Sequence, residues 1–276
     1  MRLGNFNKLK INKSVPHGLY LSDEDENLVL LPTKYVPEEY EIGDFLEVFV
    51  YLDSEDRPVA TNLEPFCAVG DFAYLEVADT SRVGVFLDWG LEKDLLLPFR
   101  NQVQSLSVGD MVVVYVYLDK ASGRIVATQK LKPWFSYDLH GMQVGDKIEA
   151  MVYECSSTTV RLVTTFGQNA RIHRVKAQNL QVGDIVTARV ANIFDNYLEL
   201  KIGPSTLEQI STDAQLLLNI LADNKGFLGL NDKSSPKLIQ KKLAWSKKHF
   251  KKVLGYLLKR RKIMQNSSGI SLTKLQ

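Results

Sequence analysis

Over residues 1–204 the chain is written in short runs of alternating apolar and polar positions, the pattern of half-buried strands. The clearest run follows Val108-Gly109-Asp110, where Val112, Val114, Val116 and Leu118 alternate with Val113, Tyr115 and Tyr117. Asp119–Gly123 predicts a turn, and Arg124–Gln129 a returning strand. The pattern occurs twice more. Ile42-Gly43-Asp44 precedes Phe45–Leu52, a turn at Asp53–Arg57 and Pro58–Asn62. Val182-Gly183-Asp184 precedes Ile185–Ile193, a turn at Phe194–Asn196 and Tyr197–Ile202.

A second set of Gly-Asp pairs opens each repeat. Gly70-Asp71 and Gly145-Asp146 lead into Phe72–Val77 and Lys147–Tyr153, and Gly4-Asn5 is the degenerate first member. The spacings from opening to closing Gly are 39, 39 and 38 residues, so the repeat is a small domain and not a solenoid turn. Each interval holds one more hairpin: His17–Leu21 with Leu28–Leu31, Val83–Leu87 with Leu95–Leu97, and Thr158–Val163 with Ala170–His173. Five short strands per repeat suit a small closed barrel of OB type, because closure removes exposed sheet edges. The expected barrels are 1–65, 66–131 and 132–204, with the aromatic stretch Lys132–Leu139 as a packed connector.

After Pro204 the apolar period becomes helical. Ile210, Ala214, Leu217, Leu218 and Leu221 share a face, and Gly226 is a stop. Ser234-Ser235-Pro236 caps a second helix carrying Ile239 and Leu243, and Ser246 caps a third carrying Phe250, Val253, Leu254, Leu257 and Leu258. A Ser267-Ser268-Gly269 turn then joins two strand-like pieces. The expected fold is multidomain: three five-stranded barrels followed by an α+β winged helix-turn-helix over 205–276.

Charge divides the chain in the same place. Residues 1–223 hold 20 Lys+Arg against 31 Asp+Glu, a net of −11, while residues 224–276 hold 14 against one, a net of +13. Residues 233–262 contain twelve Lys or Arg and no acid. A solubilising surface mixes signs, so a one-sign face points to nucleic acid. The first repeat, at −7, repels phosphate and suits spacing or protein contact instead.

Enzyme chemistry has no foothold in the sequence. Cys67 and Cys155 stand alone, and His17, His140, His173 and His249 lack metal-ligand spacing. No phosphate-cradling Gly-rich loop is present. Asp53, Asp119 and Asp195 recur before the last hairpin strand and are read as turn formers. No cofactor or metal is expected. The longest apolar run, near Met111–Leu118, is far shorter than a membrane span. With no apolar leader core near Met1, a cytoplasmic location is expected.

The second repeat carries the best family match. Gly84-Val85-Phe86-Leu87, a loop, Lys93-Asp94-Leu95-Leu96-Leu97, and then Gly109-Asp110 with Val112 and Val114 resemble the S1 RNA-binding domain. Three such units followed by a winged helix resemble the bacterial CvfB (conserved virulence factor B) family. That resemblance implies a regulatory, RNA-binding protein. It also implies that bases stack on exposed aromatics beside basic groups. The aromatic slot falls at Tyr20 and Phe86, and at Arg161 in the third unit; Trp89 is a further candidate. The family's stacking His is matched by His173, with Leu31 and Leu97 in its place elsewhere, and Arg82 stands where a flanking aromatic belongs.

Arg161, Arg171, His173, Arg174 and Lys176 gather on the third unit, and Arg both contacts phosphate and stacks. In the last domain Lys247, Lys248, Lys251 and Lys252 lie opposite the apolar face, and Lys259, Arg260, Arg261 and Lys262 extend the patch. The reading is a cytoplasmic, non-catalytic regulator that binds single-stranded RNA through the third barrel and the winged helix. Two alternatives stand beside it. One is a DNA-binding transcription regulator with the third helix in the major groove. The other is an adaptor recruiting a protein partner through the acidic first barrel.

Overall fold

The computed structural model describes residues 1–173, 179–203 and 206–273. They form two compact units, Met1–Ile202 and Gly203–Gln276. The first unit is three closed barrels. Barrel 1 holds β1 (Asn5–Val15), β2 (Gly18–Ser22), β3 (Leu28–Pro32), β4 (Phe45–Leu52) and β5 (Pro58–Thr61), closed in the order β1-β2-β3-β5-β4. Barrel 2 repeats that order with β6 (Phe72–Thr80), β7 (Gly84–Asp88), β8 (Leu95–Pro98), β9 (Met111–Leu118) and β10 (Ile125–Thr128). Barrel 3 does so with β11 (Lys147–Cys155), β12 (Thr159–Thr164), β13 (Asn169–His173), β14 (Ile185–Phe194) and β15 (Tyr197–Lys201).

The Gly-Asp pairs are the clasps that close each barrel. In all five, the Asp carboxylate accepts the backbone N–H three residues earlier at 2.8 Å: Asp44 from Glu41, Asp71 from Ala68, Asp110 from Ser107, Asp146 from Gln143 and Asp184 from Gln181. Each preceding Gly has positive φ, between 88° and 107°, which a side chain disfavours. The clasps are reciprocal. In barrel 2 the Gly70 N–H donates to the Val116 carbonyl of β9, and the Gly109 N–H donates to the Val77 carbonyl of β6. Gly4 donates to Val50 in the same way. The first strand also bulges once in each barrel, at Ile11/Lys13, Val77/Asp79 and Val152/Glu154. A bulge increases the local twist, so one strand can pair with both neighbours.

The barrels are fused through their side chains. Phe49 and Tyr51 of barrel 1 share a core with Trp89 of barrel 2, and the Phe49 and Trp89 rings meet edge to face at 5.8 Å. Between barrels 2 and 3 the connector is packed. Trp134 lies against Tyr115 and Tyr117, at 4.5 and 4.6 Å, and Phe135 sits between Phe72 and Tyr153. Leu131 and Phe135 are buried there with Val113 and Val163.

The second unit holds α1 (Thr206–Asp223), β16 (Phe227–Leu228), α2 (Pro236–Leu243), α3 (Lys247–Lys259), β17 (Ile263–Gln265) and β18 (Ile270–Leu272), with the strands in the order β16-β18-β17. Ser235 and Ser246 cap α2 and α3, accepting from Leu238 and His249. Ile210, Ala214, Leu217 and Leu221 of α1 pack against Ile239, Phe250, Val253, Leu254 and Leu257. This is the helix–strand plan of a winged helix. No helix among the described residues is long and apolar enough to cross a membrane.

Candidate nucleic-acid interface

Strand register shows which positions of the three barrels correspond. Tyr20 pairs with Leu30, Phe86 with Leu96, and Arg161 with Arg171. In the parallel step these continue to Val59, Val126 and Glu199. One outward row thus crosses the second, third and fifth strands of each barrel. In barrels 1 and 2 it carries one aromatic and aliphatic neighbours. In barrel 3 it carries two arginines and a glutamate.

Register also corrects the place of the histidine. His173 pairs with Thr159, and the equivalent pairs are Gly18 with Pro32 and Gly84 with Pro98. Prolines therefore hold its position in the other barrels. Leu31 and Leu97 match Ile172 and are buried in their cores, because a one-residue slip along a strand turns a side chain to the opposite face. Trp89 is a second correction. It is 3% exposed within the barrel 1–barrel 2 core, and its Nε1–H donates to the Lys93 carbonyl at 2.7 Å. A ring so enclosed offers no face to a base.

Barrel 3 holds the most developed surface. The rings of Phe194 and Tyr197, flanking the β14–β15 turn, stack at 4.5 Å with 16° between planes. The Arg171 guanidinium carbon lies 4.1 Å from the Tyr197 ring centroid and 5.5 Å from that of Phe194. Its Nε is enclosed and lacks an acceptor among the described residues. Arg161 is exposed and pairs with Glu154 at 3.0 Å. His173 is exposed, with Nε2 3.4 Å from Glu199 Oε1. Asn192 donates to the other Glu199 oxygen at 2.5 Å, so the one carboxylate in the row is engaged. Arg174 and Lys176 lie outside the described residues. In the sequence Phe194 and Tyr197 are only a turn and its edge, and no spacing along the chain marks them as a stacked pair.

The aromatics of the first two barrels are differently placed. Tyr20 is half-buried, with the Lys13 ammonium 5.0 Å from its ring centroid and His17 edge-on to it. Phe86 is half-buried and lines a groove that also holds Lys93 and Arg124. The aspartates of the last turns are structural. Asp53 accepts the N–H groups of Glu55 and Arg57, and Asp119 accepts from Ser122 and pairs with Arg100.

In the winged helix, Lys248, Lys251 and Lys252 of α3 are exposed, as are Lys259, Arg260, Arg261 and Lys262; Lys247 is half-buried. The Arg260 guanidinium lies 3.6 Å from the Tyr256 ring centroid. On the inner side of α3, His249 Nε2 is 2.7 Å from Asp213 Oδ2 on α1. That pair spans 36 residues, and spacing along the chain gave no sign of it.

A family model of the S1 domain matches residues 3–63 and 69–130, and one of the CvfB-like winged helix domain matches residues 215–272. The chain belongs to the CvfB family. Among its relatives, the uncharacterized protein YitL of Bacillus subtilis is 28% identical over 97% of this chain and 92% of its own. Conserved virulence factor B of Staphylococcus aureus is 26% identical over 86% of this chain and 82% of its own. A solved multidomain protein with nucleic acid binding domains from Streptococcus pneumoniae is 26% identical over 98% of each chain, with a TM-score of 0.42. S1 and winged-helix domains in a CvfB-family chain make this a nucleic-acid-binding regulatory protein.

Proposed function

We propose that the chain is a non-catalytic cytoplasmic regulator that binds single-stranded RNA and acts after transcription. The observation that carries this reading is the barrel 3 platform, where Arg171 lies over Tyr197 beside Phe194, with Arg161 and His173 on the same sheet. Unpaired bases stack on such aromatic and guanidinium planes, and neighbouring cations take the phosphates. The winged helix supplies a second site, in which the lysines of α3 hold backbone phosphates without reading sequence. Two modest sites on one chain raise joint affinity far beyond either alone. Such a protein changes RNA folding, translation or decay by occupancy.

The test is fluorescence anisotropy of the full chain with a labelled single-stranded RNA of mixed sequence, competed by duplex DNA at two salt concentrations. Weak competition by the duplex supports the RNA reading. If duplex DNA displaces the RNA readily, the winged helix is a DNA reader and the protein a transcription regulator. The exposed one-sign face of α3 keeps that second reading open.

A further inference from the structure

The outer face of barrel 2 carries Phe86 in the aromatic slot with cations around it. Lys93 and Arg124 border one groove, and Arg82 and Arg100 border the groove beside it. Valine and leucine side chains, Val83, Leu96 and Val126, run under both. Aromatic, aliphatic floor and cations together suit a single strand. Three of the four cations are already paired, Arg100 with Asp119 of its own barrel, and Arg124 and Lys93 with another barrel. The β4–β5 turn of barrel 1 reaches over the seam, and the Asp56 carboxylate accepts two N–H groups of Arg124, the Nε–H at 3.1 Å. Its other oxygen is 3.4 Å from Lys93 Nζ, which also donates to the Asp53 carbonyl at 2.5 Å.

A carboxylate gripped by a guanidinium fork with an ammonium beside it has the contacts of a bound phosphate. With the turn in place, the groove over Phe86 has a volume of only 220 Å³, below the roughly 300 Å³ at which small-ligand pockets begin. The adjoining groove is open, at 520 Å³. The turn is shaped to present this group: Asp56 has φ +59°, a conformation that Asp and Asn adopt more readily than other side chains.

We infer that Asp56 is an intramolecular stand-in for a nucleic-acid phosphate. It holds shut a second single-strand groove on barrel 2, which opens when a ligand phosphate takes Arg124 and Lys93 from it. The inference rests on the nucleic-acid-binding reading and adds a regulated site to it. The latch is built to yield, since both partners are partly exposed and exposed ion pairs are weak. A strand already held elsewhere on the chain arrives at high local concentration and displaces it.

The test uses the full chain and a labelled single-stranded RNA. Asp56→Asn keeps the backbone conformation and removes the charge. The expected result is about fivefold tighter binding, the scale of one exposed ion pair. The dependence of log affinity on log salt should steepen by ~0.7 for each phosphate newly held. Asp56→Gly, which suits the positive φ at least as well, should act in the same direction. Asp25→Asn changes net charge equally at an exposed position of the β2–β3 turn whose carboxylate holds neither Arg124 nor Lys93, and should leave binding unchanged. Adding Arg124→Ala or Phe86→Ala to Asp56→Asn should abolish the gain. Equal affinity and equal salt slope for wild type and Asp56→Asn overturn the latch while leaving the RNA reading intact. An equal gain from Asp25→Asn overturns it too, because the effect is then general charge. If no variant binds RNA even at low salt, the nucleic-acid reading falls and the latch falls with it.

Discussion

The guanidinium carbon of Arg171 lies 4.1 Å from the ring centroid of Tyr197. Arg171 comes from β13 and Tyr197 from β15, which pair in parallel, so barrel closure itself builds the platform. Arg171→Ala and Tyr197→Ala should each weaken single-stranded RNA binding by about 1–3 kcal/mol, the range for loss of one stacking partner. Arg171→Lys should not restore it, since an ammonium lacks the plane. Anisotropy titration measures this, and circular dichroism of each variant checks that barrel 3 remains folded.

The lysines of α3 should behave differently. Lys251→Ala and Lys252→Ala should each reduce the slope of log affinity against log salt by ~0.7 with single strands and ~0.9 with duplexes. Their effect should be nearly uniform across sequences. An unchanged slope would remove α3 from the interface.

Trp89 and Phe86 are three residues apart but differently enclosed: Trp89 is buried against Phe49, and Phe86 is half-buried on the groove wall. Trp89→Ala should cost about 3–5 kcal/mol of stability, through the cavity left beside Phe49. Phe86→Ala should cost far less and act on RNA binding instead. Urea denaturation of both variants, beside binding curves, separates the two roles.

The seam between barrels 1 and 2 should respond to acid. The hydrogen bond from Lys34 holds the Glu92 carboxyl below its ordinary value of 4.5, and that from Arg124 holds Asp56 below its ordinary 3.8. Because both are lower in the folded chain, their contribution is present above those ordinary values and is lost as pH falls below them. Stability of the wild type should therefore drop more steeply below about pH 4.5 than that of a Glu92→Gln, Asp56→Asn double variant. Both groups are exposed, so added salt should shrink the difference. Parallel profiles for the two proteins would show that the seam pairs do not contribute.

Gly183 serves both a turn and a contact. Its φ is +94°, and a Cβ there would collide with the Tyr74 ring of barrel 2. Gly183→Ala should destabilise the chain by at least ~1 kcal/mol from backbone conformation alone, with the collision in addition. Adding Tyr74→Ala should recover only the collision part. Thermal melting of the single and double variants checks the division.

Much of this fold was legible in the chain. Strand alternation and the repeated Gly-Asp pairs disclosed the barrels, because the pairs are a local hydrogen-bonded turn that needs those two residue types. Ser235 and Ser246 marked helix starts for a similarly local reason. β16, two residues long, leaves no periodicity to read. The site was less legible. Sequence alignment sets His173 against Leu31 and Leu97, one residue off the Pro32 and Pro98 of the strand register, and only strand pairing fixes which face a side chain takes. Trp89 looked like a contact residue because an S1-like loop and an inter-barrel core use the same apolar ring. The hold of Asp56 on Arg124 joins residues 68 apart, and nothing local announces it.

The strand order sets an order of events during synthesis. A barrel stays an open sheet until its fifth strand has left the ribosome, since that strand bridges the third and the fourth. The three barrels therefore seal one after another, from the first to the third. Phe49 waits longer than its own barrel does, because Trp89, its covering ring, lies 40 residues downstream. At about 5–20 residues per second, that leaves a bare aromatic on the nascent chain for roughly 2–8 s, the interval in which a chaperone or a neighbouring nascent chain would find it.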